Sequence, residues 1–231
     1  MNQPQKHDPA DFPVITLDGG AATGKSSTAQ GVSRKLHFLH VDTGSHYRAL
    51  TLLLLRKGIQ PEEHAALSCA LEEITLSATI NETTAHLTTD GELLSPESLR
   101  SPEVNASVSK FAAIESVRKR LLRYQRWHLE LAQEKEFRGL VMEGRDIGSV
   151  VFPNAAFRFF LEADDQTRIK RRSEEGQEDS VVERDRADRG RKSAPLLCPE
   201  GAIRINTGEH SLEEVISLIC KTVEEKAFSA S

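Results

Sequence analysis

The chain of 231 residues has little of what marks several whole classes of protein. Its three cysteines, Cys69, Cys198 and Cys220, are odd in number, far apart and without metal-ligand spacing, which excludes a disulfide framework and a zinc knuckle. They are expected as reduced thiols in the core of a cytoplasmic protein. The longest apolar run, Leu52 to Leu55, is far short of the ~20 residues that cross a bilayer. Residues 1–11 hold no apolar signal segment and read as a loose tail. Positive charge is not in excess either. A formal net charge of −5 and a pI of about 5.9 exclude nucleic-acid or anionic-membrane binding driven by bulk charge, so any anion site must be local. No internal repeat is visible, and 231 residues suffice for one α/β core with a small appendage.

What the chain does have is concentrated between Leu17 and Thr28. Gly19, Gly24, Lys25 and Ser26 fill the pattern G-x-x-x-x-G-K-[ST] between an apolar run (Val14, Ile15, Leu17) and helical spacing (Ala29, Val32, Leu36). This is the context of a phosphate-binding loop. The backbone of Gly19, Gly20, Ala21, Ala22, Thr23 and Gly24, continuing into Lys25, Ser26 and Ser27, is expected to wrap an anion at a helix start. Lys25 would reach the outer phosphates of a nucleoside triphosphate, and Ser26 would ligate magnesium.

Further along, residues 38–41 read as a buried strand that stops at Asp42-Thr43-Gly44, and residues 45–57 as a helix. Asp42, Thr43 and Arg48 then stand near the carboxyl-end edge of a parallel sheet, where ligands bind. Residues 74–80 alternate apolar and polar, and a second alternating stretch, 85–89, meets the hairpin turn Asp90-Gly91 before Glu92-Leu93-Leu94, the pattern of a small antiparallel insertion. That insertion is either a substrate-gripping module or a decorative flap. Ser101-Pro102 opens a helical stretch running to about residue 132 in two segments. Its basic run, Arg118, Lys119, Arg120, Arg123 and Arg126, reads alone as a solvated face.

Residues 139–142 form a second buried strand ending at Glu143-Gly144-Arg145-Asp146. Glu143 there could hold magnesium through water, and Arg145 could grip phosphate. After a strand at 156–161, Asp164 caps a helix through Arg172, and 173–180 reads as a mobile loop. Arg184, Asp188 and Arg191 stand at i, i+4 and i+7, so on a helix they share one face. This suits a lid that closes over phosphates, or a self-paired surface helix. A strand at 202–205 and a capping box of Ser211 and Glu214 before a helix at 215–223 complete the pattern.

The loop, Arg48, Arg145 and the 184–191 group offer more cations than one triphosphate needs. That surplus points to transfer between two phosphorylated ligands, a reaction that needs positioning and charge stabilisation more than a general base.

Residues 42–48 (Asp-Thr-Gly-Ser-His-Tyr-Arg), 144–153 (Gly-Arg-Asp-Ile-Gly-Ser-Val-Val-Phe-Pro) and 185–191 with Ala194-Pro195-Leu196 resemble bacterial cytidylate kinases. The resemblance runs from about residue 14 to 223. It implies an α/β fold of three layers, the P-loop nucleoside monophosphate kinase fold, with a central parallel sheet, a small antiparallel β insertion and a short lid. A flexible tail (1–13), a core (14–57, 133–170 and 195–231), a monophosphate-binding domain (58–132) and a lid (171–194) would divide it. The implied reaction moves the γ-phosphoryl group of ATP to CMP or dCMP with Mg2+, in a monomer that binds no nucleic acid and no membrane. Catalytic roles would fall to Lys25, Arg145, Arg184 and Arg191. Thr43, Arg48, Arg145 and Arg191 would hold the acceptor phosphate, beside Asp42. Arg184 and Asp188 would meet the ribose, and Asp146, Arg118 and Ser109 the cytosine edge. Gly20 departs from a frequent proline, His46 from a small or apolar residue, and the 172–184 segment is shorter than in many members. Kinases of the shikimate or gluconate type lack the insertion. A regulatory GTPase would need an Asn-Lys-x-Asp sequence, which is missing here. A nucleotide-dependent binding module without turnover is the remaining alternative.

Overall fold

The computed structural model describes residues 12–174, 181–191 and 193–227, and the expected tail at 1–11 lies outside them. Val14–Gly19 (β1) is buried at every position, as expected of a strand covered on both faces. It lies parallel between Leu140–Gly144 (β6) and Phe157–Glu162 (β7). Leu39–Asp42 (β2) adds in parallel beyond β6, and Ile203–Asn206 (β8) beyond β7. The alternating residues form the hairpin Leu76–Asn81 (β3) and Thr84–Thr89 (β4), turning at Glu82, with the two-residue strand Glu92–Leu93 (β5) on β4. The hairpin does not stand apart. β4 pairs in parallel with β2, so one eight-stranded sheet runs β3-β4-β2-β6-β1-β7-β8 with β5 on β4.

Helices cover both faces. Lys25–Leu36 (α1) and Leu212–Ala227 (α9) close one side over Ile15, Leu17, Val32, Phe159 and Ile219. On the other side Glu115–Glu134 (α6) packs against Leu39, Val41, Leu140 and Met142 through Leu131 and Ala132. A third apolar cluster joins Thr43–Arg56 (α2), His64–Glu73 (α3), Pro102–Ala112 (α5) and α6 through Leu50, Leu54, Leu67, Phe111 and Leu121. Leu50 and Leu54 are fully buried, and side chains of this size stabilise by about 1.5–3 kcal/mol each. That anchorage fixes α2, and with it Arg48.

Local chemistry sets the ends. Asp42 accepts the Ser45 N–H at the start of α2, and Ser101 accepts the Val104 N–H at the start of α5. The short helix Pro96–Leu99 (α4) is capped by Ser95 in the same way. Asp165–Glu174 (α7) takes in Ser173, which the sequence suggested as loop; residues 175–180 lie outside the described set. Val181–Arg189 (α8) ends before Arg191, so the expected three-residue face is cut short at Gly190. Of the cysteines only Cys220 is buried, whereas Cys69 is exposed and Cys198 intermediate, contrary to the expectation of three core thiols. Phe12 is buried beside Val14, so the tail expected over 1–13 ends by that ring.

Candidate active site

β1, β2, β6 and β7 all point their carboxyl ends at one edge, and the segments leaving those ends surround a cleft of about 800 Å³. Among the expected residues, Ala21, Ala22, Lys25, Ser26, Asp42, Thr43, Arg48, Ser109, Glu143, Arg145, Asp146, Arg184, Asp188 and Arg191 line it. Arg118 does not line it but stands behind Asp146. Gly19, Gly20, Thr23, Gly24 and Ser27 complete the loop without facing the cleft.

The loop is shaped by glycine where the backbone demands it. Gly19 has φ +155°, and a Cβ there would stand 2.2 Å from the Leu161 carbonyl oxygen. Gly24, at φ +83°, opens α1 in the left-handed region. Lys25 Nζ turns back onto its own loop, donating to the Gly20 carbonyl at 2.6 Å. Burial, and after it the neighbouring Arg145 guanidinium, lowers its ammonium to about 7. An incoming polyphosphate would reverse that shift.

At the end of β6, Glu143 is 2 % exposed and its carboxylate is held at both oxygens. Ser26 Oγ donates to Oε2 at 2.9 Å, and His40 Nε2 lies 3.0 Å from Oε1. Thr43 Oγ donates to the Glu143 carbonyl at 2.7 Å. Burial, and then the Glu143 charge, raise the Asp42 carboxyl. Two residues on from Glu143, Arg145 Nη1 donates to the Gly19 carbonyl at 2.6 Å, and its Nε lies 2.9 Å from Asp188 Oδ2. Arg145 therefore ties the phosphate loop to α8. Asp146 pairs with Arg118, both nearly buried. Burial raises the Asp146 carboxyl, while Arg118 pulls the other way. Tyr47 lies under that guanidinium at 5.6 Å.

One face of α8 is docked rather than solvated. Asp188 pairs with Arg191 from beyond the helix end as well as with Arg145. Asp185 accepts the Ala21 N–H at 2.9 Å and pairs with Arg168. Arg48 is held from the opposite wall, donating to Asn105 Oδ1 at 2.6 Å and the Leu99 carbonyl at 3.1 Å.

Sequence reasoning passed over Asp18, His40 and Asp185. Asp18 is fully buried, accepts the N–H groups of Ile147 and Gly148 at 2.7 Å each, and is raised to about 6, chiefly by burial. It anchors the π-helical turn Ile147–Val151 behind the site. Residue alternation along β2 could have found His40, because 40 and 42 share a face. The basic run on α6 also corrects its reading as a solvated face. Arg120 donates to the carbonyls of Leu71 and Ile74, and Arg126 to those of Val150 and Val151, while Lys119 and Arg123 are exposed, Lys119 pairing with Glu115.

Sheet order, glycine loop and converging guanidinium groups define a P-loop kinase, an ATP-dependent enzyme of the nucleoside monophosphate class. The fold is shared with TT1252 from Thermus thermophilus, at a TM-score of 0.51 and 16 % identity over 93 % of this chain and 97 % of that one. Residues 15–225 match the family model described as cytidylate kinase. A cytidylate kinase of Streptomyces avermitilis is 34 % identical over 221 residues, covering 92 % of this chain and 93 % of that one. One from Caldanaerobacter subterraneus is 37 % identical over 222 residues, covering 91 % and 94 %. The chain belongs to the cytidylate kinase family.

Proposed function

We propose that the cleft holds ATP and CMP or dCMP together and moves the γ-phosphoryl group between them. A CMP phosphate oxygen bonds to the γ-phosphorus while the bond to the β–γ bridging oxygen breaks, and ADP leaves with that electron pair. The acceptor is already an anion, so charge and alignment carry the catalysis. Lys25 and the loop N–H groups bind the triphosphate. Thr43, Arg48 and Arg145 hold the acceptor phosphate beside Asp42, and Arg191 reaches it from the lid. Arg184 and Asp188 meet the ribose. Arg145, which touches both loop and lid, offsets the equatorial charge.

The observation that carries the reading is the buried Arg118–Asp146 pair, whose Asp146 lines the cleft, as does Ser109. A carboxylate accepts from the exocyclic amino group of cytosine, and a guanidinium donates to its carbonyl and ring nitrogen. Uracil would set a carbonyl against Asp146, a mismatch that buried sites reject strongly.

Ser26 and Glu143 fit magnesium. They are two hard oxygen donors side by side at the cleft, and magnesium takes one or two protein oxygens with phosphates and waters. When bound it would neutralise phosphate charge. Among the described residues no cluster of three or more His, Cys, Asp or Glu is arranged to hold a metal by itself, and a nucleotide-borne ion needs none. No described helix is long and apolar enough to cross a membrane. A monomeric, cytoplasmic enzyme that binds no nucleic acid, with residues 58–132 as the acceptor-binding domain and 171–194 as the lid, is the reading the family resemblance supports. ADP release measured with a panel of nucleoside monophosphates tests the assignment. CMP and dCMP are expected to turn over well above UMP, AMP and GMP, and a flat response would overturn it.

A further inference from the structure

His40 is an imidazole that none of the roles above uses. It is 1 % exposed on β2, on the same strand face as Asp42, and the β2–β6 register sets Asp42 opposite Glu143. Glu143 is then its diagonal neighbour, within reach of a long side chain. Nε2 lies 3.0 Å from Glu143 Oε1, and Nδ1 lies 3.2 Å from Thr84 Oγ on β4.

An ionised carboxylate only accepts, so Nε2 carries the proton and Nδ1 accepts from the Thr84 hydroxyl. The tautomer is therefore set by Glu143 on β6, and the Thr84 hydroxyl on β4 complements it. Glu143 Oε1 is held back toward the sheet, which turns Oε2 toward Ser26 at 2.9 Å. The terminal torsion of a glutamate is broad, and among the described residues it is His40 that holds this carboxylate from the β2 side.

We propose that His40 is a positioning residue for the metal–nucleotide complex, acting through Glu143 to hold the Glu143 Oε2 and Ser26 Oγ donors together. The inference rests on the roles of Ser26 and Glu143 given above. It assigns the hairpin a part in the donor side of the site, through the chain Thr84–His40–Glu143–Ser26.

Manganese(II) affinity of the enzyme–ADP complex, read from the free-ion paramagnetic resonance signal, tests this in the parent, His40→Leu, His40→Gln and Thr84→Val. Loss of a partner that orients a metal-binding carboxylate costs about tenfold or more in metal affinity. His40→Leu is expected to weaken manganese by about that factor while metal-free ADP affinity stays within about twofold. His40→Gln, whose amide N–H can still donate to Glu143, should recover most of the loss. The magnesium concentration for half-maximal turnover should rise in parallel, with kcat restored at saturating metal. A folded His40→Leu protein with parental manganese affinity overturns the proposal. Should that variant not fold, Thr84→Val decides, with a loss of about two- to threefold supporting the chain of contacts and no loss refuting it. If the parent–ADP complex holds manganese no better than ADP alone, the metal role of Ser26 and Glu143 fails as well. A parent that holds it equally with or without His40 removes the positioning role alone.

Discussion

The Asp185 carboxylate accepts the backbone N–H of Ala21 at 2.9 Å, so α8 reaches into the phosphate loop across 164 residues of sequence. Its other oxygen pairs with Arg168, which also meets Asp165. A Cβ on Gly20 would stand 2.4 Å from that carboxylate, which gives the bare glycine a local reason. Because Arg168 is 6 % exposed, removing Asp185 leaves a largely buried guanidinium short of a partner. Asp185→Ala is expected to lose about 3 kcal/mol in chemical denaturation, at the low end for a broken buried pair because Asp165 remains. A change below about 0.5 kcal/mol, as for an ordinary surface substitution, would show that the lid is not latched there.

Arg145 and Arg48 are expected to separate kinetically. Arg48 is held by Asn105 and Leu99 on the acceptor wall, so Arg48→Ala should raise KM for CMP and leave ATP binding intact. Sequence reasoning expects the same of Arg145→Ala. Its bond to the Gly19 carbonyl changes that expectation, because the loop itself is loosened. Steady-state kinetics with each substrate varied should show Arg145→Ala impairing both KM for ATP and kcat. An effect confined to CMP would remove the bridging role.

Lys25→Ala should lower kcat by at least about 10²–10³-fold, the usual cost of losing one donor aimed at transition-state charge. In the free enzyme the ammonium titrates near 7, so the charged form is lost as pH rises through that value. The logarithm of kcat/KM for ATP is therefore expected to fall above about pH 7, while kcat holds to higher pH because bound phosphates retain the proton. Identical profiles for the two parameters would contradict this.

His46 and His128 stack at 5.3 Å between α2 and α6, with Tyr124 edge-on to both. His128 Nδ1 meets the Tyr124 carbonyl at 2.9 Å, and both rings are fully buried. Burial lowers His128 from 6.5 to about 4, and burial with the nearby His128 and His40 lowers His46 well below 6.5. The unfolded chain thus binds more protons below pH 6.5, so the stability from these neutral rings is complete above that value and lost as pH falls. Between about pH 6.5 and 5 each ring should cost about 2 kcal/mol. Urea midpoints across this range should fall less steeply for His46→Phe than for the parent, and parallel curves would rule the pair out.

Much of this was legible before the structure. The apolar strand, two glycines and helical spacing fix the phosphate loop, because few other arrangements satisfy that backbone. Asp42, Ser101 and Ser211 announce helix starts through side chains that satisfy orphan N–H groups. The rest depends on contacts between residues distant in sequence. No local pattern shows that β4 pairs with β2 as well as β3, that Arg120 and Arg126 hold carbonyls, or that Asp185 seats on Ala21. The helix Pro96–Leu99 is one turn long, too short for a periodic signal, and α3 carries its burial on Leu67, Ala70 and Leu71 alone. The expected guanidinium face failed at Arg191 because Gly190 ends the helical run first.

Recognition of cytosine by the Arg118–Asp146 pair is the central proposal, and the ratio of kcat/KM for CMP to that for UMP, in parent and Asp146→Asn, measures it directly. Asparagine can present an N–H where the carboxylate only accepts, so the ratio is expected to fall by about 10²-fold or more in the variant. An unchanged ratio in a folded, active Asp146→Asn enzyme would mean that the base is read elsewhere.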